Sequence, residues 1–429
     1  MLTEYRLARA LAVIVAAIII LADNTTAQIC ENNSSGLPPI NDLGSGYWHG
    51  AQGGLYPGGQ NIRPPEHNQD GIDLASQVIP LDQPGNPDPV NGKIVFLSVG
   101  MSNTQQEFAR FELELESVQN RNPFLITING AQGGWAIDDI LRPNSPYWNH
   151  ITDLLFQEDL IGAQVQVIWF KEADFHPAST AGDTSFVGYV DSLKEKFKTA
   201  INITKSKFQN SRICYLAGRI YGGYDETLAN PEPFAFYNGW AAKYLIEDQI
   251  NGDTSLVYLG PNAKAPWLSW GAYLWADGIN PRSDGLTWIC PDDFEPDGRH
   301  PSELGEQKVA ALLLSTLMDD ETAIPWLLDG TTDATPGSGG NLPTRFSITN
   351  YPNPFNPLTT FRFTIVDRQS TLLSIYDMLG QEVARLVNEE LSPGTYTREW
   401  NASAFPTGVY YSRLRSGDFV KTNKLVLLK

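Results

Sequence analysis

Apolar positions first gather near the amino end, where Ala10 to Ala22 is almost wholly hydrophobic, Arg6 and Arg9 precede it, and Thr25-Thr26-Ala27 places small residues before Gln28. This is the pattern of a secretory signal peptide over residues 1–27. At ~1.5 Å per residue the run is short for a ~30 Å hydrocarbon core. From about Gly92 the pattern becomes a series of strand-length apolar runs: Lys93 to Val99, Phe124 to Asn129, Gln164 to Phe170, Arg212 to Ala217 and Ser255 to Leu259. Phe108, Phe111 and Leu115 recur at i, i+3 and i+7, which predicts a helix over Gln105 to Val118 with one apolar face. Tyr237 to Ile250 and Glu303 to Met318 read as further helices. Strands alternating with helices predict an α/β fold, a mostly parallel sheet covered on both faces. Ligands in such sheets bind beyond the carboxyl ends of the strands.

Periodicity stops at Asp329 to Gly340, a polar stretch rich in Gly and Thr that reads as a flexible linker, residues 329–342. Beyond it Thr359 to Val366, Thr371 to Tyr376, Gly394 to Trp400, Gly408 to Leu414 and Asp418 to Leu428 are short β-rich runs separated by turn residues such as Ser392-Pro393-Gly394. Such spacing predicts a small all-β sandwich over residues 343–429. The expected organisation is therefore a leader, a domain over residues 28–328, the linker and a terminal β-domain.

Composition narrows the function. A hydrophobic share of 42% and eleven tryptophans place the chain in the globular class. Forty-nine acidic against thirty basic residues give a net charge of -19, which repels a phosphate backbone and excludes nucleic acid as the expected partner. Three cysteines are too few for a disulfide framework; Cys214 and Cys290 either pair or remain structural thiols.

Candidate chemistry sits where strands end. Gly100-Met101-Ser102-Asn103 follows the first strand, and Gly100 permits a tight turn that puts Ser102 at a helix terminus. Ser102 or Asn103 could equally serve as the N-cap of that helix. A serine hydroxyl becomes nucleophilic only beside a base that a third group orients. Asp297-Gly298-Arg299-His300 supplies both from one loop, with Pro301 holding His300 extended before the Glu303 helix. Asn129 to Gly134 places glycines, with free backbone N–H groups, after the second strand. Trp135, Trp267, Trp270, Tyr273, Trp275 and Trp288 provide flat rings able to stack on sugars, or to fill the core. The acids Asp138, Asp139, Asp292, Asp293 and Glu295 lack the spacing of a calcium loop and read as solvated, so no metal is expected.

These blocks resemble the SGNH (GDSL-like) hydrolase superfamily, in particular carbohydrate esterases related to sialate O-acetylesterase. Gly100 to Asn103 is similar to the nucleophile block, Asn129 to Gly134 to the glycine block, and Asp297 to Ser302 to the Asp-x-x-His block, in the same order along the chain. The resemblance implies a three-layer α/β/α, flavodoxin-like domain. In it Ser102 is the nucleophile, His300 the base and Asp297 its orienter, with Ser102, Gly133 and Gly134 forming the oxyanion pocket. It also implies an acylated carbohydrate as substrate and no cofactor. One block departs: where the family carries Asn or Gln, this chain reads Lys171-Glu172-Ala173-Asp174. Lys171 is then the expected oxyanion donor, and Asn103, Trp135, Glu172 and Asp174 the expected substrate contacts. A glycan-binding protein that has lost turnover is the alternative, and a structural surface-layer component a third reading.

The tail resembles a second family. Asn350-Tyr351-Pro352-Asn353-Pro354-Phe355-Asn356-Pro357, Ile375 to Gly380, Gly408-Val409-Tyr410-Tyr411 and the closing Lys424 to Lys429 are similar to the C-terminal sorting domain of the type IX secretion system. That implies an immunoglobulin-like sandwich that carries cargo across the outer membrane of Bacteroidota-like bacteria. Its expected partner is the type IX machinery, and its expected location is outside the cell, released or attached to the outer-membrane surface.

Overall fold

The computed structural model describes residues 30–118, 120–329, 347–351, 355–378, 380–417 and 419–427. The expected leader, the linker after Asp329 and the Pro352-Asn353-Pro354 stretch lie outside these residues. Two compact units divide the chain, one running to Ile279 and resuming over Trp288–Asp329, the other holding Asn280–Thr287 and the residues after Gly330.

In the first unit the apolar runs form β1 (Ile94–Gly100), β2 (Leu125–Asn129), β3 (Val165–Lys171) and β4 (Ile213–Leu216), joined by β5 (Trp267–Trp270). All five are parallel, in the order β2-β1-β3-β4-β5. The connecting helices are α1 (Ser102–Glu116), α2 (Pro146–Gln157), α3 (Phe186–Lys207) and α4 (Phe234–Ile250), and α5 (Glu303–Asp319) follows the last strand. The first crossover runs opposite to the later ones, so right-handed connections put α1 on one face and α2 to α4 on the other. Adjacent residues of β3 show both faces: Trp169 stacks on Phe108 of α1, while Phe170 meets Phe197 of α3 edge-on. The chain changes direction between β1 and β3, which leaves a crevice at their carboxyl ends.

The predicted apolar stripe of α1 holds, with Phe108, Phe111 and Leu115 all fully buried. Helix α5 packs along it, burying Val309, Ala310, Leu313 and Leu317.

One predicted strand is absent. Ser255 to Leu259 is a loop, because the Asp253 carboxylate accepts from both the N–H (2.8 Å) and the hydroxyl (2.7 Å) of Ser255 and turns the chain. The fifth strand lies twelve residues further on (255 to 267) in the Trp-rich region. Its tryptophans belong to the core: Trp267, Trp275 and Trp288 are fully buried, and Trp270 and Tyr273 nearly so. They are not available to line a sugar cleft. Gly44 to Pro89 lies partly against this strand, where the Trp267 indole stacks on His67 and donates to its carbonyl (2.9 Å).

Of the two alternatives for the cysteines, Cys214 follows the structural-thiol one, while Cys290 pairs with a partner that neither named. Cys30 bonds to Cys290, 260 residues away, and Cys214 is a buried free thiol on β4. Spacing could not reveal this, since the partner of Cys290 is decided by where the amino-terminal segment lies: Ser35 N, Ser35 Oγ and Ser34 Oγ all donate to Asp277, and Tyr221 donates to the Asn32 carbonyl.

Among the described residues the second unit has seven strands in two antiparallel sheets. Strands β6 (Ser347–Tyr351), β7 (Leu358–Ile365) and β10 (Gly394–Asn401) form one in the order β10-β7-β6. Strands β8 (Gln369–Tyr376), β9 (Glu382–Leu391), β11 (Gly408–Ser416) and β12 (Phe419–Leu427) form the other in the order β9-β8-β11-β12. Phe361, Phe363 and Ile365 of the first share a core with Leu373, Ile375, Leu414 and Leu425 of the second.

Thiol counting tests the pairing. Native protein is expected to show no reactive thiol, since burial also pushes the Cys214 thiol up. Denaturation without reductant should release one, and with reductant all three. Cys290→Ser should lower stability by about 2–5 kcal/mol in urea unfolding.

Candidate active site

The site begins at the turn between β1 and α1. A Cβ on Gly100 would lie 2.3 Å from the Lys171 carbonyl oxygen and 2.4 Å from Thr104 Oγ1, so only glycine fits. The Gly100 N–H donates to Tyr147 Oη (2.8 Å), and its carbonyl accepts from the Tyr147 hydroxyl (3.3 Å) and from Gln132 N (3.0 Å). Met101, in extended conformation, is the N-cap and contributes no side-chain cap. Ser102 is thus the first helical residue, and its hydroxyl is free for other work.

That hydroxyl lies 2.8 Å from His300 Nε2, 198 positions away in sequence. His300 Nδ1 lies 2.5 Å from Asp297 Oδ2. An ionised carboxylate only accepts, so Nδ1 carries the proton of the neutral ring, and Nε2 is left to accept from Ser102. Asp297 Oδ1 accepts from the N–H groups of Arg299 (3.0 Å) and His300 (2.9 Å). Partial burial opposes ionisation of Asp297, but these hydrogen bonds win and hold its carboxyl well below the ordinary range.

The loop carrying the pair is held on several sides. Glu295 N donates to the His300 carbonyl and Ser302 N to the Asp293 carbonyl, while Ser302 Oγ caps α5 by accepting from Gly305 N (3.3 Å). Gly298 has φ +64, and a Cβ there would meet the Tyr224 carbonyl at 1.8 Å. Asn103, expected to contact substrate, instead donates from Nδ2 to the Arg299 carbonyl (2.9 Å). It ties the helix of Ser102 to the loop of His300.

The glycine block comes against the serine: a Cβ on Gly133 would lie 3.6 Å from Ser102 Cβ. The Gly133 N–H donates to the Gln105 carboxamide (3.2 Å). Gly134 has φ +83 and open space around it. Trp135 is half-buried and meets Tyr147 at a ring distance of 6.0 Å.

The divergent block is turned into the frame. Lys171 is fully buried, with Nζ 2.7 Å and 2.5 Å from the two oxygens of Glu107 on α1. An ammonium engaged this way is not presented to an oxyanion. Burial pulls Lys171 down and pushes Glu107 up, and each offsets the other. Glu172 follows β3 and is fully buried. Its carboxylate accepts from Ala173 N through Oε2 and leaves Oε1 buried without a hydrogen-bond partner, and burial holds its carboxyl well above the ordinary range. Asp174 is buried and pairs with Lys196 at 2.6 Å. None of the three is placed as a surface contact for substrate.

Several neighbours escaped the sequence reading. Tyr147 and Gln105 carry no motif. Glu107 was legible: it precedes Phe111 by four positions on the apolar stripe of α1, and a charge there calls for a buried partner such as Lys171 at the end of an apolar run. Arg219, only 1% exposed, lies in the field of Glu107, Lys171, Asp225 and Arg299, and its Nε has no hydrogen-bond partner. Among the described residues no group of three or more His, Cys, Asp or Glu could hold a metal ion.

Residues 349–428 match the secretion system C-terminal sorting domain. The tail therefore marks the protein for secretion or the cell surface and supports interaction with the type IX machinery. Among the described residues no helix is long and apolar enough to cross a membrane. No curated protein matches the chain. Similar solved structures include a catalytic mutant of an acetylxylan esterase from Geobacillus stearothermophilus, at 13% identity and TM-score 0.31 over 56% of this chain and 99% of that one. A salicylyl-acyltransferase from a tetracycline biosynthetic pathway matches at 15% identity and TM-score 0.28 over 55% of this chain and 58% of that one. An endo-beta-1,4-mannanase double mutant of Cellulomonas fimi matches at 14% and 0.19 over 85% and 69%. Scores this low carry no argument about activity.

Two measurements probe this geometry. Lys171→Met should destabilise the protein by about 3–5 kcal/mol, whereas Lys171→Met with Glu107→Leu should recover most of the loss, as read from urea midpoints. Asp297→Asn should cost stability at neutral pH. Because the folded-state carboxyl is depressed, its contribution is present above the unfolded value of about 4 and lost as the pH falls toward the folded one. The difference between wild type and variant should therefore narrow steadily below about pH 4.

Proposed function

We propose that the first unit is a secreted or surface-displayed serine esterase of the SGNH type that removes acetyl or similar small acyl groups from carbohydrate. The observation that carries this reading is the unbroken hydrogen-bonded chain from Asp297 through His300 to Ser102. The strand order β2-β1-β3-β4-β5 agrees with a flavodoxin-like sheet, and Ser102 stands at its switch point. An immunoglobulin-like reading of the second unit agrees with its two antiparallel sheets.

In this mechanism His300 Nε2 takes the proton of Ser102 Oγ as it attacks the ester carbonyl, and Asp297 stabilises the imidazolium that forms. The oxyanion is received by the N–H groups of Ser102 and Gly133 at the positive end of α1, once the Gln105 carboxamide has yielded the second donor. The protonated His300 then gives its proton to the departing sugar oxygen. Water, deprotonated by the same ring, attacks the acyl-enzyme, releases the carboxylic acid and restores Ser102.

A non-catalytic glycan-binding protein is the second reading, favoured by two details: Lys171 is held by Glu107, and the Gly133 N–H is occupied. Labelling of the mature protein with a fluorophosphonate, read by intact mass, separates the two. One label per wild-type chain is expected, and none in Ser102→Ala or His300→Ala. Asp297→Asn should slow hydrolysis of a simple acetyl ester on the order of 10⁴-fold. A folded wild type that takes no label would remove the esterase and leave glycan binding.

A further inference from the structure

A cavity of about 1010 Å³ opens at the end of the sheet opposite Ser102. It is bounded by Ser211 and Arg212 leading into β4, by Tyr258 to Lys264 ahead of β5, by the last turns of α3 and by Gln77. Three cations line it, Lys205, Arg212 and Lys264, and no acid among the described residues does. In a chain with 49 acidic and 30 basic residues, this is a local reversal of sign.

The cations are held by neutral groups. Lys205 Nζ donates to the carbonyls of Gln209 (2.8 Å) and Ser211 (2.7 Å), and Lys264 Nζ to that of Thr254 (3.0 Å). Arg212 donates from Nη1 to Gln77 Oε1 (3.1 Å), while its Nε and the hydroxyl of Ser211 are buried with no hydrogen-bond partner. Other cations set against the frame of this unit meet carboxylates directly, Arg63 meeting Asp320 and Lys198 meeting Asp253. Here carbonyls aim the charge without neutralising it, and burial together with the like charge of Arg212 pulls Lys205 down to about 8.

Such an arrangement is incomplete without an anion. A guanidinium offers N–H donors in one plane that match the oxygens of an anionic group, and the two ammonium groups lining the same cavity add Coulomb attraction. We propose that this cavity is a binding site for an oxyanion, the carboxylate, sulfate or phosphate of an acidic saccharide or the same group as a free ion. It lies at the amino ends of the strands whose carboxyl ends face the triad, so both sites can be filled at once. The proposal stands whether or not Ser102 is catalytic.

Calorimetric titration of the mature full-length protein at constant ionic strength tests it, with inorganic sulfate, inorganic phosphate, a glucuronate trisaccharide and a neutral glucose trisaccharide as probes. At least one anion should bind saturably at one site per chain, and the neutral sugar should not. Arg212→Gln and Lys205→Gln should each weaken binding about tenfold or more, and Ser102→Ala should leave it unchanged. Lys264→Gln, at an exposed position, should show a smaller loss in the same direction even if either of the other variants misfolds. Tighter binding of glucuronate than of the inorganic ions would assign an acidic glycan, and equal binding a free ion. Absence of saturable binding by all three anions, binding unaltered in the three cation variants, or loss in Ser102→Ala would overturn the proposal.

Discussion

The junction at Gly100 is the constraint on which the rest of the candidate site depends. There the backbone of β1 passes so close to the Lys171 carbonyl and the Thr104 hydroxyl that no side chain can be admitted. This closeness lets α1 begin one residue after the strand pair ends. It also leaves both backbone polar groups of Gly100 buried, and Tyr147 and Gln132 satisfy them. The same bonds draw the glycine block and α2 toward the serine. A single turn thus places Ser102 at a helix terminus and brings Gly133 against it.

Charge burial supports that turn from below. Phe108, Phe111 and Leu115 stabilise α1 by about 1.5–3 kcal/mol each on burial. On the same stripe, Glu107 costs several kcal/mol to desolvate and is tolerated because Lys171 reaches it from the end of β3. The pair fixes how α1 sits on the sheet. The block in which Lys171 stands, expected from the resemblance to face the oxyanion, therefore braces α1 from beneath.

The two units answer different physical demands. The first concentrates polar machinery at one end of a sheet whose faces are sealed by helices. The second is two antiparallel sheets around a small aromatic and aliphatic core, with polar residues alternating outward along strands such as β11. Strong net negative charge suits a chain that must remain soluble outside the cell, which makes the acid-free cavity at the amino ends of β4 and β5 the more conspicuous.

Local pattern carried much of this in advance. Continuous apolar runs exposed four of the five parallel strands, because β1, β3 and β4 are buried at every position, and apolar residues at helical spacing exposed α1, α4 and α5. The pattern misplaced the fifth strand, since four residues containing two tryptophans look the same in a core as at a sugar-binding mouth, and only packing separates them. It also passed over α2 and α3. The Asp297 to His300 spacing was readable because both partners lie on one short loop. The Cys30 to Cys290 bond, the retreat of Lys171, Glu172 and Asp174, and the use of Asn103 as a tie between helix and loop were not readable. Each depends on the distance between segments remote in sequence, and no residue pattern encodes that distance until the helices have packed. Sequence alone determined which groups could do the chemistry; the tertiary structure decided which of them face one another, because burial and hydrogen bonding act through space.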